Sequence, residues 1–155
     1  MTRPAFDQPH DLSEQDGSLR DVYIVCATPK DWASLCRLAA QYGYRYSYEG
    51  KEGPLPELAQ VFAGRNGGHL MTVTVGRVTA NCHFFNPEEI ELDFDPREVH
   101  DATDHDEVLQ FLEALAMAIM KRVSLTAENV QDAPYLSYDP KSQRWAIHER
   151  QFESQ

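Results

Sequence analysis

Basic residues are in short supply in this chain. Fourteen Lys and Arg stand against twenty-five Asp and Glu in 155 residues, a formal net charge of −11. That deficit disfavours nucleic acid and anionic membrane as direct partners, because both carry the same sign as the protein. Cysteine is also sparse. Cys26, Cys36 and Cys82 are odd in number, widely spaced and embedded in apolar segments, which excludes a disulfide framework. They read as buried, reduced thiols, and the expected compartment is the cytoplasm. Long apolar runs are missing: the best, at residues 111–120, is broken by Glu113 and too short to cross a bilayer. The opening MTRPAFDQPH has no apolar segment of the kind a secretory signal carries.

Catalytic signatures are missing as well. There is no G-x-S-x-G, no Walker loop and no dinucleotide fingerprint. The glycine-rich stretch 64–68 leads into a strand, not into a phosphate-loop lysine and a helix. Cys82 and His83 could supply a thiol and an imidazole, but neighbours on a strand point to opposite faces and cannot act on one another. His100, Asp101, Asp104, His105 and Asp106 are metal-capable and close in sequence, yet they match neither a zinc spacing nor a calcium loop. The chain is therefore expected to be no enzyme and to hold neither metal nor cofactor.

What is present is one domain's worth of globular composition, 42% apolar and 10% aromatic. Residues 1–20 lack an apolar period and read as a flexible arm; 21–150 form the domain and 151–155 a tail. Residues 22–27 are a buried strand by their β-branched and aromatic content. Thr28-Pro29-Lys30-Asp31 starts a helix that runs to about Tyr42, with Trp32, Leu35, Cys36 and Ala39 on one face and Gly43 as the stop. Residues 44–49 alternate as a strand that shows Tyr44, Tyr46 and Tyr48 to one side. A loop over 50–53, with two prolines following, leads to a short helix at 57–63. Strands at 70–75 and 78–85 are joined by Gly76-Arg77, as a type II′ turn requires. A third strand, 89–95, puts Ile90, Leu92 and Phe94 on one side and Glu89, Glu91, Asp93 and Asp95 on the other. Asp104 and Glu107 resemble a capping box. They open a helix whose stripe is Val108, Phe111, Leu112, Leu115 and Ile119. Short strands at 123–126, 135–138 and 144–147 follow. Consecutive strands flanked by helices predict an α+β fold: a central, largely antiparallel sheet with two main helices packed on one face.

The charge is strongly concentrated. Residues 86–107 hold ten of the twenty-five carboxylates and one Arg, so they account for nine of the eleven net negative charges. Same-face side chains along a strand stand about 6.5–7 Å apart. Glu89, Glu91, Asp93 and Asp95 therefore form a row of carboxylates with Glu88 and Glu98 at its ends. Such neighbours repel by about 0.5 kcal/mol per pair at water-like dielectric. A strand that needed only solubility would intersperse lysines. The row is suited to a basic partner, through ion pairs and electrostatic steering; the plain alternative is a solvated face relieved by cross-strand Arg or Lys. Tyrosines such as Tyr46 either supply an interface or form half-buried sheet surface under a helix.

The segment HFFNPEEIELDFDPREV (83–99), the amphipathic helix running into KRVSLTAENV (121–130) and the tail LSYDPKSQRW (136–145) resemble the small immunity proteins of bacterial polymorphic and contact-dependent toxin systems. The likeness spans residues 20–148. It implies stoichiometric neutralisation of a cognate basic toxin domain without catalysis, with Glu88, Glu89, Glu91, Asp93, Asp95, Glu98 and Tyr46 as contact residues. A monomer and a homodimer both fit. The alternative is an acidic type III secretion chaperone that holds an effector; the polar start of the chain counts against it.

Overall fold

A computed structural model describes residues 3–5, 17–63 and 68–148. The fold is α+β. Nine strands among the described residues form one sheet: β1 (Arg20–Val25), β2 (Tyr44–Tyr48), β3 (Lys51–Gly53), β4 (His69–Val75), β5 (Val78–Asn86), β6 (Glu89–Phe94), β7 (Val123–Ala127), β8 (Pro134–Asp139) and β9 (Arg144–Ile147). Their spatial order is β3-β2-β4-β5-β6-β1-β7-β8-β9. Every described pairing is antiparallel. Three helices accompany the sheet: α1 (Pro29–Tyr42), α2 (Leu58–Ala63) and α3 (Ala102–Ile119). None is long and apolar enough to cross a membrane.

Local chemistry explains most element ends. Thr28 caps α1 through a reciprocal box: its hydroxyl accepts from the Asp31 N–H at 3.2 Å, while the Asp31 carboxylate accepts from the Thr28 N–H at 3.0 Å. Gly43, at φ 97°, ends the helix in a conformation that glycine adopts without strain. The β4–β5 connection turns at Gly76, φ 62°, as a II′ hairpin needs. The stretch expected as a loop at 50–53 is instead β3. Glu49 and Gly50 both take positive φ, so a two-residue hairpin returns Lys51–Gly53 against β2. The start of α3 also differs from expectation. Asp101 is the N-cap and accepts from the Asp104 N–H at 2.9 Å. Asp104 lies inside the first turn, where its carboxylate takes the Arg77 guanidinium and the His100 N–H.

One face of the sheet holds the core. Val22, Ile24, Cys82, Ile90, Leu92, Phe94 and Leu125 share it and are buried. Trp32 and Leu35 of α1 and the full expected stripe of α3 are buried with them. Trp32 stacks on Phe84 at 5.3 Å between ring centres and meets Phe62 of α2 edge-on at 5.0 Å. Its indole N–H donates to the Pro87 carbonyl at 2.8 Å. Tyr42 of α1 meets Phe111 of α3 edge-on, which locks the two main helices together.

One other expectation needs correction. Of the three free cysteines only Cys82 is buried; Cys36 is half-buried and Cys26 exposed. Cys26 leaves β1 at φ 58°, which rotates it out of the sheet before α1 begins. Within the expected N-terminal arm, Arg3 is docked: its guanidinium donates to both oxygens of Glu113 on α3 at 2.8 and 2.9 Å, and Trp145 of β9 donates to the same carboxylate at 2.7 Å. The rest of the arm at 6–16, and the expected tail at 151–155, lie outside the described residues.

Candidate protein-binding face

The side chains that alternate with the core residues stand on the opposite face, which none of the described helices covers. Register places them in transverse rows. Asp21 of β1 faces Asp93 of β6, which faces Asn81 of β5; Tyr23 faces Glu91, which faces His83; Val25 faces Glu89. The acidic strand is therefore central in the sheet, and β1 adds a further carboxylate to it.

Hydrogen bonding sorts these carboxylates. Asp93 is 8% exposed. It is bonded on both oxygens, to Asn81 Nδ2 at 2.8 Å and to His83 Nε2 at 2.5 Å. Asp21 is buried and accepts from the Asn129 N–H at 2.7 Å and the Tyr23 hydroxyl at 3.1 Å. Glu89 accepts from Gln131 at 2.6 Å. Asp95 caps the short 3-10 turn Pro96–Glu98 and is neutralised by Arg97 at 2.8 Å. Glu98 folds back to accept the Thr79 N–H at 3.0 Å. Glu88 stands exposed in the β5–β6 turn. Arg77 meets Asp101 and Asp104. Among the described residues no Lys or Arg forms an ion pair with Glu88, Glu89 or Glu91.

Ionisation follows from this crowding. Burial pushes the Asp21 and Glu91 carboxyls above their ordinary values, and neighbouring carboxylates add to the rise. The hydrogen bond to Asp93 lifts the His83 imidazole above 6.5, against the opposing effect of its own burial. Burial also pushes up the Tyr23 phenol, so it stays a donor between Asp21 and Glu91. His83 thus stands among three carboxylates, Asp93, Glu91 and Asp21.

The row expected from sequence is thus partly realised. Among the described residues Glu88, Glu89 and Glu91 have no Lys or Arg partner, although Glu91 interacts with the His83 imidazole, whereas Asp93 is enclosed, Asp95 is paired with its own Arg97 and Glu98 is turned inward. Tyr46 is only 4% exposed and lies on the helix side, bonded to His69 at 2.6 Å, so it takes no part in this face. Sequence reasoning missed Asp21, Tyr23, Val25, His83 and Phe85. Their shared alternation with the core residues in 21–25 and 81–85 was the available signal. Phe85 is 69% and Val25 55% exposed. Arginines lie at the margins: Arg45 on β2 beside a shallow depression of about 230 Å³, and Arg144 on β9.

No family model matches the chain, and no curated protein does either. Among solved structures, it is similar to a chain from the crystal structure of the toxic C-terminal tip of CdiA from Pseudomonas aeruginosa in complex with its immune protein. That similarity has 13% identity over 77% of this chain and 94% of the other, with a TM-score of 0.49.

Proposed function

We propose that this chain is an immunity protein, which binds a secreted toxin domain and neutralises it by laying the open sheet face over a basic surface or active cleft. The observation that carries the reading is the placement of Glu88, Glu89 and Glu91, which have no Lys or Arg partner among the described residues, near exposed Phe85 and Val25 at the β5–β6 turn end of the central strands. Unpaired acids supply long-range attraction and raise the encounter rate. Exposed apolar side chains among them supply the water-excluding centre that makes short-range pairs tight. Inhibition proceeds by occlusion, with no bond made or broken.

The test is co-expression with the toxin domain encoded by the adjacent reading frame. The wild-type chain should restore growth. The double variant Glu89→Lys/Glu91→Lys should associate at least ten-fold more slowly at low salt and lose most of the salt dependence of the rate. Unchanged association and protection in a folded double variant would remove this face as the site. A type III effector in the adjacent frame would favour the chaperone alternative.

A further inference from the structure

We propose that the open face selects an arginine of its partner, not positive charge in general, and that Phe85 and Glu89 are the selecting groups. The inference rests on the acidic-face reading above.

Phe85 is the most exposed large apolar side chain among the described residues, at 69%, although it sits on an interior strand. The β5–β6 register shifts between His83 and Asn86, and a bulge of this kind re-aims the side chains around it. One face of the Phe85 ring is parallel to the His83 imidazole, 4.8 Å away and tilted by 2°. His83 is held in turn by Asp93. The stack on His83 leaves most of the ring accessible. Glu89 pairs with Val25 on one side and with Asn86, next to the Phe84–Phe85 bulge, on the other. One of its oxygens takes Gln131, leaving the second without a hydrogen bond among the described residues. A planar guanidinium can stack on the accessible ring and donate edgewise to Glu89 and Glu91. A compact, strongly hydrated ammonium gains less from the ring and cannot donate in that fork.

The probes are fluorescein-labelled octa-arginine and octa-lysine peptides, titrated with the full chain at 50 mM salt by anisotropy. The wild type should bind octa-arginine more tightly than octa-lysine. Phe85→Ala and Phe85→Leu should each weaken octa-arginine by roughly two- to five-fold, the range an exposed cation–π contact supports. Both should leave octa-lysine nearly unchanged, and Phe85→Trp should restore the preference. An arginine-to-lysine ratio that is the same in wild type and in both Phe85 variants overturns the arginine inference. If Glu89→Lys/Glu91→Lys still abolishes binding of both peptides, the acidic-face reading survives that failure. If charge reversal changes neither affinity, both readings fall. Far-UV circular dichroism checks that each variant is folded, and no core side chain is touched by any of them.

Discussion

Replacing His83 by glutamine tests the charge at the centre of the open face. The imidazole sits 2.5 Å from Asp93, with side chains 24% and 11% exposed, and Asp21 and Glu91 are the neighbouring carboxylates. Glutamine keeps a donor and much of the volume and removes the positive charge. A hydrogen bond to a charged group contributes about 1.5–3 kcal/mol and a neutral one about 1 kcal/mol. Partial exposure of the imidazole draws the charged figure toward its lower end. The expected loss is therefore about 0.5 kcal/mol below pH 6, a fall in Tm of roughly 1–2 °C for a domain of this size. The sign with pH follows from the raised folded value of His83. Its stabilisation is fully present below the ordinary value of 6.5 and is lost as pH rises through the higher folded value. The cost of His83→Gln should accordingly shrink toward zero at pH 9. Urea unfolding followed by tryptophan fluorescence at pH 6 and pH 9 measures both. Glu91 and Asp21 interact with the His83 charge, so the pH dependence of the difference between the two proteins reports His83 together with its coupling to these carboxylates. Adding Asp93→Asn should cancel most of the pH 6 effect in a double-mutant cycle. Equal destabilisation at the two pH values would refute a protonated His83 as the internal counter-charge.

Other perturbations probe the frame that holds this face. Asp101→Ala removes the α3 cap and one arm of the Arg77 cluster, and should cost about 1–2 kcal/mol in thermal or urea unfolding; Asp101→Ser should recover most of it. Trp32→Ala deletes a side chain that is 1% exposed, packed on Phe84 and Phe62 and bonded to Pro87, so a loss of about 3–5 kcal/mol is expected in the same assay. A loss under 1 kcal/mol would mean that α1 is not anchored to β5 through this ring.

Much of the fold was legible from local rules, since each element carries its own instruction. Thr28 and Asp31 cap α1, Gly43 releases it, Gly76 turns the β4–β5 hairpin, and residues 89–94 alternate by the period of a strand. Where local rules misled, a distant contact had decided. Asp104 looked like a cap, but Arg77, 27 residues earlier, takes its carboxylate and leaves the capping to Asp101. Tyr46 looked available for contact, but it lies among residues beneath the helices. The acidic row was evident in composition, yet its six carboxylates are not equivalent.

What the amino-acid sequence alone determined is the inventory: which segments are strands and helices, which side of each strand is apolar, and that an acidic excess is concentrated before α3. Those properties arise from spacings of a few residues, over which backbone periodicity is rigid. Only the tertiary structure decided that β1 pairs beside β6. That pairing sets Asp21 against Asp93, gives the imidazole of His83 several carboxylates to serve, and leaves Glu88, Glu89 and Glu91 beside exposed Phe85 and Val25. Strand neighbours separated by some seventy residues are selected by the packing of the whole core, and no local pattern encodes that choice.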